Sequence, residues 1–236
     1  MKNRNNHHKM SLTKAIDASL KNGDRLLNDA ELLLYPDSAP TAFVLSVLAQ
    51  EEFAKAFLLH LVETNCIPWI NDIKRVLNDH SCKQLVGLIL DFLNPDTDVF
   101  LERMDLKNIG KKRPLLPPHV LDALNVIRHE KVAKNSRSDW IDPAEAPCDP
   151  TVKKIADGDF DKLKQDAIYV RIGRTGAVVS EPTRISPELA EIEFEKAKRF
   201  RGLQGPMGLD YEKVTAIFKV LFSLITVEEF NKNWWL

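Results

Sequence analysis

The chain is 236 residues long, 44% hydrophobic and 28% charged, which fits one large domain, or a domain with an extension, around a real core. Its 33 Lys plus Arg balance 34 Asp plus Glu, so global charge gives no steering toward nucleic acid or an anionic membrane, and any such binding needs a local patch. Met1 to Met10 lacks the apolar region of a secretory signal, and no stretch approaches the roughly 20 apolar residues of a membrane span. Cys66, Cys82 and Cys148 are an odd number without Cys-x-x-Cys spacing, which argues against a disulfide framework or a zinc site and leads us to expect a soluble protein of the reducing cytoplasm.

In chain order, Ser11 is placed to cap a helix running to about Tyr35, with Leu12, Ile16, Leu20, Leu27 and Leu34 near helical spacing. Pro36 to Pro40 reads as a turn, and a long apolar helix follows from about Thr41 to Glu63. A short helix from about Trp69 to Asn78 leads into another over about Asp79 to Leu93, which Asn94-Pro95 stops. Asp96 to Pro118 is polar and irregular and reads as a surface loop or lid. A helix over about His119 to Lys134 precedes a Pro-rich connector, Asp142 to Pro150. Ala167 to Ser180 holds two β-branched runs around Gly173 to Gly176 and predicts a small hairpin. Ser186-Pro187-Glu188 opens another helix, with Ser as cap and Pro in its first turn. An amphipathic helix over about Asp210 to Phe230 completes the series, and Trp234 and Trp235 are expected to dock the tail on the core or on a partner. The pattern is all-α with one small β-hairpin. We assign residues 1–205 to one helical domain, hairpin at about 167–180, and 206–236 to a C-terminal helix packed on the same domain.

Two sets of polar residues stand against this pattern. In the second helix Val44, Val47, Leu48, Leu58 and Val62 share a stripe, and Glu51 and Lys55 fall in its middle, with Glu52 beside them. A charge there is costly to bury without a partner. Glu51 and Lys55 are four apart and can pair with each other. One reading is a structural ion pair that locks helix packing or a subunit interface; the other is that Glu51 or Glu52 orients a catalytic or binding group. The second set lies in the next helix but one, where His80 and Lys83 share a face with Gln84 and Gly87. Asp79 is placed to cap this helix. Gly87 costs about 1 kcal/mol relative to Ala in mid-helix and predicts close approach of another backbone.

The run Ala49-Gln-Glu-Glu-Phe-Ala-Lys-Ala56, then Asp79-His-Ser-Cys-Lys83, resembles the AbiV-type branch of the HEPN superfamily. The later run Lys162 to Val170, a glycine turn, Glu181-Pro182 and Ile185-Ser-Pro-Glu188 is similar to the same family, so the resemblance spans roughly Ser11 to Phe200. It implies an all-helical HEPN bundle in a bacterial abortive-infection protein, where an infected cell shuts down its own metabolism. Many HEPN proteins are metal-independent RNases whose Arg-x4–6-His motif works across a dimer interface. Arg75 and His80 have that spacing, although Val76 stands where the RNase versions place a polar residue. A second pair, Arg113 and His119, runs through three prolines and is read as accidental. The RNase reading gives His80 the role of base for the 2′-OH, with Arg75 and Lys83 stabilising the anion and Glu52 orienting His80. Lys107 to Arg113, Arg128 to Arg137 and Lys196 to Arg201 are candidate phosphate-holding clusters.

His80, Lys83, Glu52 and Arg75 are thus expected to converge on one cleft. A homodimer is expected because the second helix is apolar around most of its circumference and HEPN relatives pair. A phage-encoded protein as trigger, and RNA or the translation machinery as target, follow from the resemblance. No cofactor, metal or membrane partner is expected. The chain shows no Gly-rich phosphate loop after a strand, no Gly-x-Ser-x-Gly, no His-Glu-x-x-His and no Glu-x-x-His, and His7-His8 is an isolated dipeptide. The alternative to an RNase is a non-catalytic protein that blocks translation by binding when a phage product triggers it.

Overall fold

The computed structural model describes residues 2–65, 67, 69, 71–92, 118–132 and 148–203. These form eight α-helices and one two-stranded sheet, the all-α bundle with a small hairpin that the sequence predicts. Helix α1 (Lys2–Glu31) runs through Ser11, so that residue is not its cap. No Pro or Gly precedes it, and nothing local stops the helix from propagating backward. Helix α2 (Ala39–Glu63) has Pro40 in its first turn, where a missing N–H costs nothing. Just beyond its end Asn65 takes a φ of 58°, the left-handed conformation that Asn tolerates.

Helices α3 (Asn71–Asn78) and α4 (His80–Phe92) are separated by Asp79 alone. Its Oδ1 accepts from the Cys82 N–H at 2.9 Å, which makes it the expected cap of α4. Helix α5 (Pro118–Asn125) continues as a π-helical stretch, Val126–Val132. Two short helices that periodicity does not announce follow, α6 (Pro150–Ala156) and α7 (Asp159–Asp166), broken by Gly158 at a φ of 80°. Asp149 caps α6 by accepting from Thr151 and Val152. Each is about two turns long, too short for a 3.6-residue period to register. Helix α8 (Pro187–Gly202) has the predicted start, with Ser186 Oγ accepting from the Leu189 N–H at 3.2 Å. Nearly all of the expected lid over 96–118, most of the connector over 142–150 and the final helix over 210–230 lie outside the described residues.

Helix α2 is the axis of the bundle, packed by α1, α4, α7 and α8. Phe43, Phe53 and four of its alanines, Ala42, Ala49, Ala54 and Ala56, are completely buried. Burying one Phe contributes about 1.5–3 kcal/mol, and the alanines allow neighbouring helices to come close. At Gly23 of α1 a Cβ would lie 2.5 Å from the Phe53 ring, so only glycine fits there. The apolar circumference of α2 is therefore covered by helices of its own chain, and it does not call for a second subunit. A smaller core joins the start of α2 to Ala167, Ile185 and Ala190. Among the described residues no helix is long and apolar enough to cross a membrane.

The sheet is shorter than the β-branched runs that predict it. Strands β1 (Arg171–Ile172) and β2 (Val178–Ser180) pair antiparallel, Arg171 with Ser180 and Ile172 with Val178, with an irregularity between the two pairs. Residues before β1 are taken up by the end of α7, where the N–H groups of Ile168 and Tyr169 both reach the Gln165 carbonyl. Gly176, at a φ of 82°, makes the turn.

Candidate functional site

The charge in the apolar stripe of α2 is Glu51, only 2% exposed. Its carboxylate has four partners on two other helices. Oε2 lies 2.6 Å from His80 Nδ1 and 3.1 Å from Lys83 Nζ. Oε1 accepts from Lys164 Nζ at 2.6 Å and from Gln84 Nε2 at 3.1 Å. The first turn of α4 supplies three of these groups because positions one, four and five of a helix share a face. Helix α7 supplies the fourth. Lys164 also reaches Asp161 at 2.9 Å, so two ammoniums meet two carboxylates.

Burial pushes the Glu51 carboxyl up, but the ammoniums of Lys164 and Lys83, the Lys164 hydrogen bond and His80 outweigh it, and the net shift is downward. Glu51 is thus an anion at neutral pH, and an anion accepts hydrogen bonds. Against an anionic acceptor His80 Nδ1 is the donor, so in the neutral imidazole the acceptor nitrogen is Nε2. Half of the His80 side chain (51%) is exposed, whereas those of Lys83 and Lys164 are 8% and 7% exposed. The arrangement is an imidazole held in one tautomer by a buried carboxylate, with its basic nitrogen not consumed by that contact. It has the logic of a positioned general base.

This geometry corrects two expected pairings. Lys55 does not pair with Glu51; its Nζ donates to Glu52 at 2.6 Å, on a half-buried flank of α2. Glu52 therefore does not orient His80, and Glu51 does. The local i,i+4 geometry was available to Glu51 and Lys55, but Glu51 points to the side where α4 and α7 pack. His80 and Lys83 do meet, as their spacing predicts. Arg75 is exposed on α3, whose buried face carries Ile73, Val76 and Leu77, and the helix break at Asp79 separates it from His80. Gly87 is explained by a side chain rather than a backbone, since a Cβ there would lie 3.1 Å from the fully buried Phe200 ring.

Of the basic clusters, Lys107 to Arg113 lies outside the described residues, as does the second half of Arg128 to Arg137. In the third, Arg199 pairs with Asp91 at 2.7 Å, Arg201 with Asp24 and Lys198 with Glu195 at 2.8 Å. Its two arginines thus hold α8 to α4 and α1, and Lys198 pairs within α8 itself. Lys164 is the residue that sequence reading missed. A signal was there: Lys164 is four residues from Phe160 and three from Ala167, so it sits on the apolar face of α7 as Glu51 sits on that of α2. Among the described residues no group of three or more His, Cys, Asp or Glu is placed to hold a metal ion.

Residues 11–201 match the family model described as AbiV, of HEPN type. No curated protein and no solved structure matches the chain.

Proposed function

We propose that this chain, which belongs to the AbiV family of HEPN proteins, is an antiphage abortive-infection protein that arrests its host by cleaving RNA with His80 as base. Membership of the family supports the abortive-infection role. One observation carries the chemistry: a half-exposed histidine held at 2.6 Å by a carboxylate that is itself buried and kept ionised by two lysines. In this reading His80 Nε2 takes the proton of a ribose 2′-OH. The 2′-oxygen bonds to phosphorus, and the bond from phosphorus to the 5′-oxygen breaks. The products are a 2′,3′-cyclic phosphate and a 5′-hydroxyl that takes up a proton. Lys83 and Lys164 act through Glu51, because their ammoniums are committed to it.

A second reading, translation arrest by binding without cleavage, is favoured by the surface. Ile168, Tyr169, Val170, Ile172, Val178 and Val179 are each 45–65% exposed, a concentration of exposed apolar side chains in one segment of the kind that meets another protein. Incubating the purified protein with total RNA separates the two. The wild type is expected to cleave, and His80→Ala to lose cleavage and growth arrest while melting at nearly the same temperature. Intact RNA alongside arrested translation would sink the RNase reading and leave the binding one. Cleavage by a folded His80→Ala protein would remove His80 from the mechanism.

A further inference from the structure

The Glu51 cluster has a second side. A cavity of about 290 Å³ lies between α2, α4, α6, α7 and α8, and His80 does not line it. Its floor is charged and buried, with Glu51, Lys83 and Glu193 among its residues, and its walls include the apolar Val47, Leu88, Ile155, Phe160 and Leu163. Exposed Thr151 and Lys154 of α6 stand at its mouth, with Lys196 of α8 lining it as well.

The charges do not cancel locally. Glu51 is already met by Lys83, Lys164 and His80. Glu193 Oε2 accepts from Gln50 Nε2 at 2.8 Å and lies 4.0 Å from Lys196 Nζ. Lys154 has no hydrogen-bond or ion-pair partner among the described residues, so the lysines outnumber the carboxylates still open to them. We propose that this cavity binds a small phosphomonoester with an apolar, one-ring body, its phosphate on Lys154 and Lys196 and its ring against Phe160 and Leu163. The phosphate follows from charge: a monoester carries about −1.5 to −2 at neutral pH, enough for Lys154 and for Lys196, whose own carboxylate partner Glu193 stands 4.0 Å away, whereas a carboxylate would match Lys154 alone. The single ring follows from volume, which sits at the bottom of the range of about 300–1,000 Å³ for small-molecule sites and excludes a dinucleotide or an extended cofactor. Lysine binds phosphate as a point charge and needs no planar fork. The site rests on the cavity alone, independent of whether His80 cleaves RNA.

Titration of the full-length protein with phenyl phosphate, followed by calorimetry, tests it. Saturable one-site binding with Kd near or below about 1 mM is expected. Benzoate and benzyl alcohol should each bind at least about tenfold more weakly, and so should inorganic phosphate. Lys154 is exposed, so Lys154→Glu should keep the wild-type melting temperature and lose at least about tenfold in affinity for phenyl phosphate. Leu163→Trp, which fills the apolar end, should weaken phenyl phosphate more than inorganic phosphate. Absence of saturation, or binding that Lys154→Glu leaves unchanged, overturns the proposal. Equal affinity for benzyl alcohol would assign the cavity to apolar ligands and overturn it too.

Discussion

Glu51 and Glu52 are neighbours in the chain with opposite fates. Glu52 shares a partly exposed flank with Lys55, one turn along its own helix, and its side chain is 17% exposed. Glu51 turns inward, is 2% exposed, and is held by groups 29, 33 and 113 residues away in sequence. The first pair is local and wet, and the water it gives up is easily replaced. The second is non-local and dry, so every partner matters to every other. The larger share of the stability is expected on the dry side.

The comparison breaks most visibly at Glu51 itself. Glu51→Gln leaves the buried ammonium of Lys83 without its carboxylate and that of Lys164 with Asp161 alone, and removing one partner from a buried charge cluster costs about 3–5 kcal/mol. Chemical denaturation should show a loss of that size. A loss below about 1 kcal/mol would mean that the cluster is as wet as the Glu52–Lys55 pair.

Acid sharpens the contrast. The folded Glu51 carboxyl is held below its ordinary value of 4.5. Its contribution is thus complete above that value and is lost as pH falls through the folded one. The gap in melting temperature between wild type and Glu51→Gln should be constant near neutrality and narrow below about pH 4.5. A gap that stays constant down to pH 3 would place the charge of Glu51 outside the stability of the fold.

The smallest effect is expected on the wet side. Lys55→Gln removes an i,i+3 pair with both side chains partly exposed, worth under about 1 kcal/mol, and should leave His80-dependent activity unchanged. A change in that activity would mean that Glu52 reaches the histidine after all.

What could be read in the sequence follows the same division. The apolar stripe of α2 with a charge at its centre, the shared face of His80 and Lys83, the Asp79 cap and the Ser186-Pro187 start are all local patterns, and each appears in the structure. The partner of Glu51 is not local. Spacing alone favours Lys55, because periodicity says which face a residue is on but not which helix will pack there. Lys164 sits on a two-turn helix that periodicity could not resolve. The hairpin was overdrawn because β-branched residues also serve in the turn that ends α7.

The separation of 84 residues between His80 and Lys164 also sets a clock. At about 5–20 residues per second, a ribosome makes α2 and His80 some 4–17 s before it reaches Lys164. During that interval Glu51 has His80 and Lys83 but not its closest cation. On the reading proposed above, the histidine that would act on RNA thus gains its full set of supporting groups only when most of the chain has been made.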